Sequence, residues 1–371
     1  MKYRISVVIV TLCISSAAIA GPFHWKPVGA RSSMGACKPY NFNYSDAVAV
    51  GNRGTIYIGN EQGPNAIQEI TVHGNLKTLL RRRLIDGRTV NLRGLSIAVG
   101  RRDDIYLAVK RSGVVYRLFR TGRLHLIAGK PGINKYINGS KGTARFDAPN
   151  SIAVGPRGNI FVADAQTVRE ITKHGTVITV AGVRNSRLTY GSTRWPIRNG
   201  KGIESTFFSA TDIVVDGAGT IYVADNYTGP FEQQIANFGV VREISNDGVV
   251  STLAGSINMP WGSFDGVGDN ANFNSIVAMS LDPRGGLFLV SDDRRLRHVS
   301  RSGRVVTIYR PKNNEFSQHN VISPSAMAVS RGGTIYIANS VSPHYFKVSN
   351  GPFWLNRFKS GRMAVLCKQT D

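Results

Sequence analysis

The sequence predicts an all-β protein: a six-bladed β-propeller of four-stranded blades. Two observations carry the prediction. A sheet-sized pattern recurs six times, with its first turn falling at intervals of 48 to 66 residues, and Gly supplies 40 of the 371 residues. Each copy holds four short stretches rich in Val, Ile and Tyr, joined by Gly-containing turns. That is the chemistry of strands on a pleated, half-buried surface. A lone four-stranded sheet cannot cover both its faces, whereas radial packing covers them and leaves only short, protected edges. A stack or sandwich is the structural alternative. Hydrophobic residues make up 42% and charged residues 19%, enough apolar content for a buried core and too much for a disordered chain. The same composition excludes an acidic binding tail, a coiled coil and a bundle of membrane helices.

The first element is an address. Residues 1–20 read MKYRISVVIVTLCISSAAIA. Lys2 and Arg4 precede an apolar run of about ten residues, and Ala18 and Ala20 supply the small side chains a signal peptidase accepts. Cleavage is expected between Ala20 and Gly21. The product is expected to be secreted or periplasmic, with no integral membrane span. Residues 21–43 read as an N-terminal extension, a lid or plug strand carrying Phe23 and Trp25, and 44–371 as the propeller.

The repeats follow in order. Blade one reads AVAV (47–50), TIYIGN (55–60), IQEI (67–70) and NLKTLL (75–80). Blade two reads SIAV (96–99), DIYLAV (104–109), VYRL (115–118) and RLHLIAG (123–129). Blade three reads SIAV (151–154), NIFVAD (159–164), VREI (168–171) and TVITVAG (176–182). Blade four reads DIVV (212–215), TIYVAD (220–225), VREI (241–244) and VVSTLAG (249–255). Blade five reads AMSL (278–281), GLFLVSD (286–292), LRHV (296–299) and RVVTIY (304–309). Blade six reads AMAV (326–329), TIYIAN (334–339), LNRF (355–358) and RMAVLC (362–367). Blades three, four and five are preceded by NGSKGTARF (138–146), NGKGIESTF (199–207) and DGVGDNANF (265–273).

These motifs resemble the NHL repeat, whose consensus joins a Gly-rich prelude to an apolar strand, a YVAD strand, an (I/V)R-x-I strand and a TLAG strand. The resemblance covers about residues 44 to 367; blades one and six lack the prelude. It implies a secreted or periplasmic NHL-repeat protein. It leaves function open, because such propellers include enzymes, protein binders and RNA binders.

Removal of a signal segment would leave two cysteines. Cys367 closes the last strand of blade six and Cys37 lies ten residues ahead of blade one, so the repeat register brings them to the seam of the ring. A disulfide between them is expected in an oxidising compartment. Two unpaired buried thiols are the other reading.

No catalytic motif stands out. The chain has neither a Gly-x-Ser-x-Gly elbow nor a phosphate-binding Gly-Lys-Ser/Thr loop. The seven His are spread over the repeat, where a zinc site needs three or four ligands at one point. The amidating lyases that share this propeller use metal-bound His, and their ligand set does not match here. Asn60, Asp164, Asp225, Asp292 and Asn339 recur at the end of the second strand. They read first as caps for the following turn. The weak alternative is a metal site of Asp164, Asp225 and Asp292 holding Ca or Zn. The segment from Asp265 to Asn272 looks like a calcium loop but lacks the Glu an EF-hand requires.

Charge remains. Lys and Arg number 46 against 23 Asp and Glu, a formal +23, and 32 of the cations are Arg. Such a potential attracts polyanions. The insert 183–211 carries Arg184, Arg187, Arg194 and Arg198 interleaved with Tyr190 and Trp195, and Trp261 lies in the neighbouring loop. Guanidinium forks suit carboxylate, sulfate and phosphate, and aromatic faces stack on sugars or bases. A disordered decorative loop is the competing reading. The sequence therefore predicts a monomeric, non-enzymatic scaffold binding a polyanionic or protein partner on its loop face. A metal-dependent lactonase-like or lyase-like enzyme is the alternative.

Overall fold

The computed structural model describes residues 23–27, 37–39, 45–60, 65–71, 75–81, 84–85, 88–89, 92–184, 197–231, 234–258, 262–310, 324–339, 355–359 and 362–369. It is an all-β propeller with four-stranded blades. Blade one runs through Ser45–Val50, Ile56–Asn60, Asn65–Ile70 and Leu76–Arg81. Blade two runs through Leu95–Val99, Ile105–Val109, Val114–Leu118 and Leu124–Gly129. Blade three runs through Pro149–Val154, Ile160–Asp164, Thr167–Ile171 and Val177–Ala181. Blade four runs through Ala210–Val215, Ile221–Phe231, Gln234–Ile244 and Val249–Ala254, with Gly200–Lys201 added outside. Blade five runs through Ile276–Leu281, Leu287–Ser291, Leu296–Val299 and Arg304–Tyr309, with Gly266–Val267 added outside. Neighbouring strands within each blade are antiparallel.

The expectation of six four-stranded blades is corrected: the structure shows five. The carboxyl-terminal strands form a sheet of another make. Pro324–Val329, Ile335–Asn339, Leu355–Lys359 and Arg362–Gln369 are joined by Phe23–Pro27 and Cys37–Pro39 from the amino-terminal side, giving six strands. Phe23–Pro27 pairs along the last strand, with Phe23 opposite Lys368 and Pro27 opposite Ala364, so this segment is a sheet strand and not a plug. Cys37–Pro39 pairs with the same strand, placing Cys37 opposite Gln369 and Pro39 opposite Cys367. No disulfide is found among the described residues. The cysteine side chains, like residues 1–22, lie outside the described residues.

The repeat chemistry explains the packing. Strands alternate their side chains between two faces, and each blade face meets the next blade. The core is therefore a series of interfaces. Phe161, Val223 and Ile244 lie between blades three and four. Phe273, Leu289 and Tyr222 lie between blades four and five. The composite sheet fits the same plan: Met327 and Ile337 pack on blade five, while Ala328 and Ala338 pack on Val48 and Ile58 of blade one. The recurring Ala-Gly at the end of the fourth strand also has a physical cause. Gly129 and Gly182 take φ of +94° and +85°, and a side chain there would strike the carbonyl oxygens of Gly113 and Gln166. Among the described residues no helix is long and apolar enough to cross a membrane.

Candidate functional site

The recurring second-strand Asp is part of a structural clamp. In blade three the main-chain N–H groups of Asp147 and Ala148 donate to Asp164 Oδ1 at 2.9 and 2.7 Å. Arg169, from the VREI strand, donates through Nη1 to Asp164 Oδ2 at 2.9 Å, with both side chains fully buried. Its other fork atom, Nη2, donates to Ile137 O and Asn138 Oδ1 in the Gly-rich prelude. The guanidinium lies over Tyr136 and Phe146, 4.5 and 5.5 Å from the ring centroids. Blade four repeats the device. Phe208 and Ser209 N–H donate to Asp225 Oδ1, and Arg242 donates to Asp225 Oδ2, Thr206 O, Arg198 O and Asn199 Oδ1 over the Phe207 ring. The prelude thus folds across the blade and is held by a buried guanidinium. Burial pushes the carboxyls of Asp164 and Asp225 up to about 6, against the pull of the paired Arg.

Blade five corrects one sequence assignment. The register places Ser291, not Asp292, at the position of Asp164. Arg297 still reaches the prelude, donating to Asn272 O at 2.6 Å over the Phe273 ring at 5.2 Å. Its acid is Asp293, 3.6 Å away. Asp292 is exposed and accepts from Asn237 Nδ2 of blade four. Asp164, Asp225 and Asp292 therefore do not form one ligand set, and no group of three His, Cys, Asp or Glu able to hold a metal occurs among the described residues. The Asp265 carboxylate is engaged by the N–H and hydroxyl of Thr307, at 2.8 and 2.7 Å.

The first strands surround an axial channel of about 450 Å³. An inner strand has an unpaired edge, and channel side chains satisfy its N–H groups across the blade boundaries. Ile152 N–H donates to Ser96 Oγ, and Val329 N–H donates to Ser280 Oγ. Asp212 is the main node: Oδ1 accepts from the Ser151 hydroxyl at 2.6 Å and from its neighbour Ile213 N–H at 2.9 Å, and Oδ2 accepts from Met279 N–H at 2.6 Å. It has no cationic partner among these contacts, and burial outweighs the three bonds, pushing its carboxyl up to about 6. Sequence reasoning missed Asp212. It lies on a first strand where other copies carry Ala47, Ser151 and Ala278, so the repeat itself offered no signal.

Among the described residues, blade four projects furthest on the loop face. Its second and third strands continue as an eleven-residue pair, Ile221–Phe231 against Gln234–Ile244, beyond the length of the other blades. Tyr227 of this hairpin packs 4.8 Å from Phe208 and 5.2 Å from Phe238. Arg184, at the start of the long insert, pairs with Asp147 at 2.8 Å and donates to Gln166. Arg198 is exposed, and its backbone is held by Thr206 and Arg242. Arg187, Tyr190, Arg194, Trp195 and Trp261 lie outside the described residues.

No protein-family profile matches the chain. Teneurin-3 of Mus musculus is 26% identical over 218 residues, 55% of this chain, and Teneurin-3 of Danio rerio is 26% identical over 225 residues, 56% of this chain. The chain spans only 7% of the length of either. A structural genomics protein of unknown function from Bacteroides thetaiotaomicron superposes with a TM-score of 0.55 and 15% identity, over 93% of this chain and 76% of its own. A streptogramin B lyase superposes with a TM-score of 0.50 and 11% identity, over 93% and 98%. At these identities the likeness is one of fold, and the fold shared is the β-propeller.

Proposed function

We propose that this chain is an exported NHL-type propeller that acts as a binding scaffold, taking a polyanionic or protein partner on the loop face around blade four. In this reading the composite sheet closes the ring beside the five blades, and the protein works as a monomer in the periplasm or outside the cell. The observation that carries it is the projecting blade-four hairpin, braced by Phe208, Tyr227 and Phe238, in the blade that the arginine-rich sequence between Arg184 and Arg198 precedes. Guanidinium groups carried beside a braced hairpin would suit recognition of anionic sugars, phosphates or acidic peptides. A hydrolase or lyase reading has less support, because the buried carboxylates Asp164 and Asp225 are spent on backbone N–H and Arg partners, and Asp212 on inter-blade bonds. The disulfide between Cys37 and Cys367 belongs to the same proposal; with Cys37 opposite Gln369, its formation would require the end strands to shift by two residues.

Retention on heparin resin tests it. Salt-sensitive retention is expected, and Arg187→Ser with Arg194→Ser and Arg198→Ser should elute at clearly lower salt. Unchanged elution would remove the loop face from consideration. Stoichiometric calcium or zinc in protein purified without chelator would favour the enzyme instead.

A further inference from the structure

The opposite end of the channel carries a feature the loop face does not explain. There each first strand turns into its second, and the turns repeat one design: Gly51–Gly54, Gly100–Asp103, Gly155–Gly158, Asp216–Gly219, Asp282–Gly285 and Ser330–Gly333, each closed by a backbone hydrogen bond. Five of these six turns present arginine, namely Arg53, Arg101 with Arg102, Arg157, Arg284 and Arg331, and all six side chains are exposed. The acids of the same turns are tucked beneath them as caps. Asp103 accepts from Asn52 N–H and lies 3.9 Å from Arg53 Nε, and Asp282 accepts from the N–H, Nε and Nη2 of Arg284, so these two guanidinium groups are partly neutralised from below while their outer faces stay exposed. Asp104 is held by Arg117, and Asp216 accepts from Ala218 and Thr220 N–H. The contrast in exposure is wide: Arg53 is 89% exposed and Asp103 12%, and Arg284 is 78% exposed and Asp282 4%.

The turns also brace one another. Arg331 donates to Asn52 Oδ1, and Asn52 donates to Gly100 O and Arg101 O, which links the composite sheet, blade one and blade two. Arg102 and Arg157 have no ion pair among the described residues. Blade four breaks the ring. Its turn carries Gly217 and Ala218, with Asp247 exposed on the adjoining turn.

We infer that this end of the propeller is a docking face for an anionic lipid surface, its crescent of turn arginines meeting phosphate headgroups. Tight, mutually bonded turns at equivalent positions of successive sheets hold the guanidinium groups at one end of the molecule. A flat array of phosphates can meet all of them together, whereas a single linear chain would follow two or three. Arginine forks suit phosphate oxygens, and each contributes to attraction at a negative bilayer surface. This face is separate from the loop face of the proposed function and does not depend on it.

The test is co-sedimentation of the full-length purified protein with vesicles. Binding is expected to vesicles of phosphatidylglycerol mixed with phosphatidylcholine, to weaken at high salt, and to be absent with phosphatidylcholine alone. Each arginine removed should cost about fivefold in affinity, so Arg101→Ser, Arg102→Ser and Arg157→Ser together should cost on the order of 100-fold. Ala218→Arg, which fills the gap at blade four, should gain about fivefold. Lys130→Ser, exposed at the other end, should bind as the parent does. Unchanged urea midpoints would show that the variants are folded. Equal vesicle binding by the triple variant overturns the proposal. So does loss of heparin retention in the triple variant with no vesicle binding by the parent, which would make the ligand a soluble polyanion.

Discussion

Blade four and blade one follow one strand plan and secure it in opposite ways. In blade four a buried ion pair, Asp225 with Arg242, draws the prelude down through Arg198 O, Asn199 Oδ1 and Thr206 O. In blade one the same two positions hold Asn60 and Gln68, which share a neutral hydrogen bond of 3.0 Å. The chain ahead of blade one has no Gly-rich prelude for a guanidinium to grip. A buried charge is tolerable only where enough partners surround it. The charged pair therefore occurs with the prelude and gives way to uncharged residues where the prelude is missing. Blade two completes the series, with Val109 and Tyr116 at those positions.

Breaking the clamp should give the largest effect. Arg242→Ala strands the Asp225 carboxylate and three prelude acceptors, and should cost about 3–5 kcal/mol in urea unfolding. Transplanting the pair into blade one, as Asn60→Asp with Gln68→Arg, should also destabilise, by about 1–4 kcal/mol, because no prelude receives the fork. A stable transplant would show that the ion pair, not its surroundings, carries the clamp.

The channel carboxylate sharpens the comparison, since it lacks a cation altogether. The folded pKa of Asp212 lies above the unfolded value, so between about pH 4 and pH 6 the native chain keeps a proton that the unfolded chain has released. Its stabilising contribution is present below that window and is lost as pH rises through it. Measured against the parent, Asp212→Asn should gain about 1–3 kcal/mol in relative stability between pH 4 and pH 7. A pH-independent difference would show that the carboxyl titrates normally. The smallest effect is expected for Gln68→Ala, about 1 kcal/mol for one neutral buried hydrogen bond.

Much of this architecture was legible because strands announce themselves locally, through β-branched runs ended by Gly turns. The clamp was only half legible. Its Asp recurs visibly, but the partner Arg lies five residues on in blade three and seventeen in blade four, where the hairpin is longer. A variable separation hides a constant contact. Asp292 misled for the reverse reason: VSD mimics VAD in sequence, while backbone pairing sets Ser291 in the slot. The count of blades was overdrawn because the last repeat reads like the others, and sequence periodicity cannot show strands recruited from the distant amino-terminal side. The loop face was legible only as composition, since the charges of residues 183–211 carry no period that fixes their geometry.

The pairing of Phe23–Pro27 with the last strand has a mechanical consequence. Phe23 sits opposite Lys368, so a load applied through the two chain ends enters this antiparallel pair at one edge. Its hydrogen bonds would then break in succession, as in a zipper, instead of bearing the force together in shear. Stretched from its ends, the molecule should open at this seam at low force, before any blade yields.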